Sequence, residues 1–152
     1  MKFEKFFHLK PLHALGIFIV LNTLCVGLGM GVPIFNILFG FVVGWYIVRM
    51  VTTATEDIRE ILSKILLYAI VTSIVTFVEM ALIWGLCIPM LFDPNANLAT
   101  FGIPQILYTP KPSFIGWLVL MIVISPFLQL LTTMFGAQVM LLYRLKNSMR
   151  SG

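Results

Sequence analysis

Residues 65–92 read ILLYAIVTSIVTFVEMALIWGLCIPMLF, an almost unbroken apolar run that contains one charged side chain, Glu79. About 20 apolar residues are enough for a helix to cross the roughly 30 Å hydrocarbon core of a bilayer. The run lacks the strict alternation of apolar and polar residues that is typical of the strands of a membrane β-barrel. It therefore predicts a membrane-spanning α-helix, because lipid offers no partners to unpaired backbone groups.

Three further apolar stretches are predicted to cross the membrane in the same way, at residues 12–31, 33–48 and 114–143. Of the whole chain, 60% is apolar and 11% is charged, whereas soluble domains contain about 45–50% apolar and about 25% charged residues. This composition excludes a water-soluble globular fold and a disordered chain. We predict an all-α integral membrane protein, with residues 1–152 forming a single bundle of four transmembrane helices.

The distribution of positive charge predicts the orientation of the bundle. Nine of the ten Lys and Arg residues fall on one side of the predicted spans, and Lys111 alone falls on the other. Because cytoplasmic segments carry the excess of positive charge, both termini are expected in the cytoplasm, with the bundle in the inner membrane of a bacterial or archaeal cell. Residues 2–10 place lysines opposite Phe3, Phe6 and Phe7, which predicts an amphipathic segment on the membrane surface. This topology explains the net charge, so nucleic acid is not an expected partner.

The connections between the spans also have recognisable patterns. Glycines and Pro33 predict a tight hairpin between the first and second spans. The sequence Thr53-Ala54-Thr55-Glu56 predicts a capping box before the third helix, in which Glu60 and Lys64 are spaced for an ion pair. We expect that helix to end at Pro89 and Asp93-Pro94, and a long, partly apolar outer loop to cover residues 93–113. Pro126 is a predicted bend in the fourth span.

Polar and small residues recur near the midpoint of every predicted span. A lipid-facing amide or carboxyl group is costly, so these side chains should face one another. Thr72, Thr76 and Glu79 also share one helical face, which predicts a polar seam that opens towards the cytoplasm and ends at Glu79. Gly40 and Gly44 have the spacing that lets helices approach closely, within one chain or between two. The candidate transport or proton pathway comprises Glu79, Gln129, Asn22, Thr76, Thr72 and Ser125.

Glu79 is the side chain most suited to chemistry. Apolar surroundings favour the neutral form of a carboxyl group, so we expect Glu79 to be neutral near pH 7 and to ionise when a cation arrives. The alternative is a protonated Glu79 that is hydrogen-bonded to Gln129 or Asn22 and only fixes helix register. No haem ligand pair, zinc spacing, phosphate-binding loop or nucleophile–base pair is present in the sequence. Neither a cofactor, a metal ion nor an enzymatic activity is therefore expected.

Two functions fit these residues. The first is a small homo-oligomeric transporter or ion- or proton-conducting protein that uses a midplane carboxylate. Four spans with one acidic residue are similar in outline to small multidrug-resistance transporters, although their carboxylate lies in the first span, whereas Glu79 lies in the third. The second is a non-catalytic subunit or assembly factor of a larger membrane complex. Expected partners are membrane lipid and either further copies of the chain or other membrane subunits.

Overall fold

A computed structural model of the protein describes residues 11–29, 32–100 and 107–150. Every regular element in these residues is helical, as predicted. Short 3₁₀ turns at Ile88–Leu91 and Leu98–Thr100 follow the third helix, and a π-helical turn at Leu120–Ile124 joins the last two helices. The α-helices are α1 (Pro11–Leu28), α2 (Ile34–Thr52), α3 (Ile58–Gly85), α4 (Pro110–Val119) and α5 (Ser125–Arg150).

Three helical segments are long and apolar enough to cross a membrane. They are Ile34–Thr52, Ile58–Gly85 and Pro110–Asn147, and the last is formed by α4, the π-helical turn and most of α5 end to end. The remaining helix, α1, has 18 residues and is a shorter apolar helix. The predicted amphipathic segment at residues 2–10 lies outside the described residues.

The helices alternate between two ends of the molecule. We call one the basic end, because it carries Arg49, Arg59 and Lys64 at the junction of α2 and α3, and the other the loop end, where α1 turns into α2 and α3 leads towards α4. The most extensive helix contact is between α2 and α5, while α1 packs on α2 and α3, and α3 packs on α5. The paired helices α2 and α5 therefore form the centre of the bundle, and α1 lies at its edge.

Glycines allow α2 and α5 to touch through their backbones. A Cβ atom at Gly44 would lie 2.1 Å from the carbonyl oxygen of Thr133, and one at Gly40 would lie 2.7 Å from the carbonyl oxygen of Gln129. From the other helix, a Cβ atom at Gly136 would lie 2.8 Å from the carbonyl oxygen of Phe41. Gly40 and Gly44 thus pack against α5 of the same chain. The sequence alone left open whether these glycines bring helices together within one chain or between two chains.

The last helical segment is interrupted just before Pro126. The amide of Ser125 donates to the carbonyl of Leu120, five residues earlier, which is the bond of a π-helical turn. Proline has no N–H, and its ring clashes with the carbonyl four residues earlier in a regular α-helix. A π-helical turn is one of the irregularities by which long helices accommodate such a residue. The carbonyl of Pro126 accepts a hydrogen bond from Ser73 Oγ of α3 at 3.1 Å.

Two apolar clusters lie towards the two ends of the bundle. Near the basic end, Val48, Ile65 and Ala137 bring α2, α3 and α5 together. Near the loop end, Trp84 of α3 meets Trp117 of α4 edge to face, with ring centroids 4.8 Å apart. Leu98, from the segment between α3 and α4, packs against this second cluster. A zone of buried polar side chains separates the two clusters.

The ends of α3 differ from those expected from the sequence. The helix ends at Gly85 instead of near residue 92, because the Pro89 ring would clash with the Gly85 carbonyl if the helix continued. The capping-box prediction is wrong, since Asp57 is the N-cap and its side chain accepts from the Arg59 amide at 3.0 Å. Thr53 instead closes α2, with its hydroxyl donating to the Met50 carbonyl at 2.7 Å. The ion pair between Glu60 and Lys64 is confirmed at 2.7 Å.

Replacing Gly44 by alanine should separate α2 from α5. The new methyl group would have to displace the Thr133 backbone, so we expect the Gly44→Ala chain to lose about 1–3 kcal/mol of unfolding free energy in detergent. Gly16→Ala is the matched control, because nothing lies within 4 Å of a Cβ atom there. Equal stability of the two variants would contradict the glycine-mediated contact.

Candidate functional site

A chain of side-chain amides occupies the polar zone and joins four helices. Gln129 Nε2 of α5 donates to Asn22 Oδ1 of α1 at 2.8 Å and to Asn36 Oδ1 of α2 at 2.9 Å. Asn22 Nδ2 donates in turn to Glu79 Oε2 of α3. At the other end, Asn36 Nδ2 donates to Ser125 Oγ at 3.1 Å. We call these five residues the amide network.

The amide network is deeply buried at its centre. Asn22, Asn36 and Ser125 are 0% exposed, and Gln129 is 2% exposed. An amide in an apolar environment is costly unless it is hydrogen-bonded, so each of these groups depends on the others. Because its members come from α1, α2, α3 and α5, the network also fixes how these helices are arranged around one another.

Glu79 lies at the outer edge of this network, where α1 meets α3. Its side chain is half-buried, and its Oε1 accepts from the hydroxyl of Thr23 at 2.9 Å. Thr23 is itself exposed on the surface of α1. One carboxyl oxygen is thus bonded towards the interior, to Asn22, and the other is bonded towards the exterior of the bundle.

The Thr23 hydroxyl allows the carboxyl group to exist in two protonation states. The same oxygen lies 2.9 Å from the Ile19 carbonyl and 2.9 Å from Glu79 Oε1, but a hydroxyl has only one proton to donate. When Glu79 is ionised, Thr23 can donate to it. When Glu79 is protonated, Thr23 can donate to Ile19 and accept the carboxyl proton on its own oxygen. The hydrogen bonds of Glu79 and Thr23 can therefore be made in both protonation states, and no non-hydrogen atom has to move.

Within α3, Glu79 lies nearer the loop end than the middle of the helix, whereas Gln129 lies near the middle of Pro110–Asn147. At 1.5 Å per residue, Glu79 is about 9 Å from the end of α3 at Gly85 and about 31 Å from its beginning at Ile58. Asn36 lies within the first turn of α2. The reason is that α3 begins inside the polar connection and ends before Pro89, which moves its centre towards residues 71–72.

On the basic side of Glu79, threonine hydroxyls of the predicted seam bond to backbone carbonyls. Thr72 Oγ1 is 3.0 Å from the carbonyls of Tyr68 and Ala69 in its own helix. Thr132, on α5, donates to the Ile37 carbonyl at 2.6 Å within the contact between α2 and α5. Hydroxyl groups in membrane helices commonly bond to backbone carbonyls in this way.

Two buried acceptors near the network lack a hydrogen-bond partner within residues 11–29, 32–100 and 107–150. They are Thr76 Oγ1 and Gln129 Oε1. Thr76 is 0% exposed and lies one helical turn from Glu79 on α3. Gln129 gives both amide protons to asparagines, which leaves its oxygen without a donor. The structure therefore places Thr76 beside the network but outside its hydrogen bonds.

Four of the six candidate residues come together in the structure, namely Glu79, Asn22, Gln129 and Ser125. Thr76 and Thr72 lie on the same helix as Glu79 and bond to none of them. Asn36 belongs to the network but was not among the residues predicted from the sequence. Its signal was nevertheless present: an amide in an otherwise apolar helix should face other polar groups, just as Asn22 does.

In the part of the chain that the structure describes, no three His, Cys, Asp or Glu side chains are grouped as a metal site requires. No protein-family model matches the sequence, and neither a curated protein nor a solved structure is significantly similar to it. The geometry of the site is therefore the basis for its proposed chemistry.

Replacing Gln129 by leucine should destabilise the bundle, because Asn22 and Asn36 would each lose a buried donor. We expect a loss of about 1–3 kcal/mol of unfolding free energy in detergent micelles. Gln138→Leu is the matched control, since Gln138 is exposed on the same helix and should change stability by less than about 0.5 kcal/mol. If Gln129→Leu were as stable as this control, the network would contribute nothing to the fold.

Proposed function

We propose that this protein is a small homo-oligomeric membrane transporter or proton-conducting protein in which Glu79 binds and releases a proton. In this proposal α1 is the fourth spanning helix, and its length of about 27 Å is close to the roughly 30 Å of the hydrocarbon core. The basic end faces the cytoplasm, so both termini lie on that side of a bacterial or archaeal inner membrane. The charge distribution and the lengths of the helices support this arrangement.

The observation that carries the proposal is the pair of hydrogen-bonding states open to Glu79. A group that transfers protons in lipid must be stable with and without its proton, since an unsatisfied polar group there is costly. Asn22 can donate to the carboxyl group in either state, while Thr23 can change from donor to acceptor. This arrangement favours proton exchange over a fixed ionisation state.

The surroundings of Glu79 favour an oligomer as the working form. Towards the loop end, the packed side chains of Phe114 and Trp117 fill the bundle. Towards the basic end, the backbone contact at Gly44 joins α2 to α5. The carboxyl group instead lies at the edge between α1 and α3, so a pathway that reaches it would be completed by a neighbouring chain. We infer that the site is shared between copies of the protein.

Replacing Glu79 by glutamine should abolish proton flux while the chain still folds. Glutamine has nearly the same shape and can accept from Asn22, but it has no proton to exchange near neutral pH. Proton flux can be measured with a pH-sensitive dye inside vesicles that contain the protein, under a potassium diffusion potential. We expect flux through Glu79→Gln vesicles to fall to that of protein-free vesicles.

Three further variants test this assignment. Glu56→Gln removes a carboxyl group from the exposed connection before α3 and should leave the flux unchanged. Thr23→Ser keeps the hydroxyl group and should retain the flux, whereas Thr23→Val removes it and should slow proton transfer. Full flux through Glu79→Gln, or no flux through the unmodified protein, would refute a role for Glu79 in proton conduction.

The edge position of Glu79 also favours a second candidate, a non-catalytic subunit or assembly factor of a larger membrane complex. The carboxyl group would then pair with a polar group of a different protein or contribute to a shared proton pathway. The native mass of the gently solubilised particle separates the two. A defined multiple of the 17.1 kDa chain supports the transporter, and stoichiometric foreign subunits support the accessory role.

A further inference from the structure

An apolar groove of about 620 Å³ runs between α1, α2 and α3 on the basic side of Glu79. Its walls include Leu15 and Phe18 of α1, Val43 of α2 and Val71 of α3. Binding pockets for small molecules typically have volumes of about 300–1,000 Å³, so the groove can hold a chain of methylene groups. It lies in the apolar part of the helices, where lipid acyl chains are the solvent.

The polar features of the groove lie towards the basic end. Tyr46 and Tyr68 contribute to its walls there, and Trp45 forms part of its rim. The Arg49 guanidinium lies 5.2 Å from the centroid of the Trp45 ring, one helical turn nearer the basic end. A guanidinium group is a permanent cation with five N–H donors in a planar fork, a geometry that suits a phosphate.

Other charges at this end contribute less to the rim. Lys64 is on the same helical face as Tyr68, one turn nearer the basic end, but it is paired with Glu60. Glu60 itself is engaged by Lys64 and by the Thr55 hydroxyl. Arg49 adjoins the groove through geometry, because its guanidinium lies over the ring of Trp45, which lines the groove.

We propose that this groove binds one acyl chain of an anionic phospholipid whose headgroup lies beside Arg49. An apolar channel with a cation at its interfacial end is complementary to such a lipid in both shape and charge. Residues 2–10 of the same chain are the competing occupant, since they carry Phe3, Phe6 and Phe7, but their three lysines outnumber Glu4 and give the segment the same net charge as Arg49. This proposal stands independently of proton transfer by Glu79.

The test is to reconstitute the full chain into phosphatidylcholine vesicles that contain a minor fraction of phosphatidylglycerol. The particle is then released with a mild detergent, and the lipids it retains are counted by native mass spectrometry. We expect the retained lipid to be enriched in phosphatidylglycerol over the vesicle composition. Arg49→Gln should lower this enrichment by about fivefold, the factor for one basic residue near an anionic surface. Arg144→Gln, an exposed cation at the same end on α5, should leave it unchanged.

A second pair of variants locates the lipid in the groove. Val71→Phe fills the groove and should reduce retention of both lipids, whereas Val139→Phe, exposed on α5, should not. The proposal is overturned if phosphatidylglycerol is not enriched, or if Arg49→Gln and Arg144→Gln behave alike. It is also overturned if the particle retains a second chain and no lipid, which would make the groove a contact between copies.

Discussion

A carboxyl group inside a membrane has to find its hydrogen-bond partners within the protein, and much of this fold follows from that requirement. Glu79 is bonded by Asn22, which must itself be bonded by Gln129, which also bonds Asn36. Each step adds a helix, until α1, α2, α3 and α5 are all held by one chain of amides. Lipid provides no competing partner, so these bonds favour a single arrangement of the helices.

The amide network depends in turn on the glycine contact between α2 and α5. A Cβ atom at Gly40 would come within 2.7 Å of the backbone oxygen of Gln129, so the backbone contact between the two helices extends to the network itself. The same approach brings Asn36 within 2.9 Å of the Gln129 side chain. A small-residue face and a polar face, which look like separate features in the sequence, act together because both determine the spacing of these helices.

The sequence predicts the helical class and most of the amide network, because both follow from what lipid excludes. A charged or amide side chain in an apolar helix must face other polar side chains, and this rule brings Glu79 together with Asn22 and Gln129. The position of Glu79 within α3 was not predictable in the same way, since it depends on where α3 ends, and Pro89 acts on the carbonyl of Gly85 four residues earlier. Nor does the sequence reveal that Asn36 shares a donor with Asn22, because the choice among buried amides is made by packing.

The remaining question for Glu79 is whether helix register alone explains a carboxyl group at this position. A glutamine could accept the same hydrogen bond from Asn22, and its own amide group could bond to the oxygen of Thr23. Register would then be kept without any group that ionises in lipid, which is the costly property of a glutamate. What a glutamate adds is a proton that can leave, and Thr23 is placed to accommodate both states. Helix register alone therefore does not require a glutamate at this position, and this is the reason for proposing that Glu79 exchanges a proton.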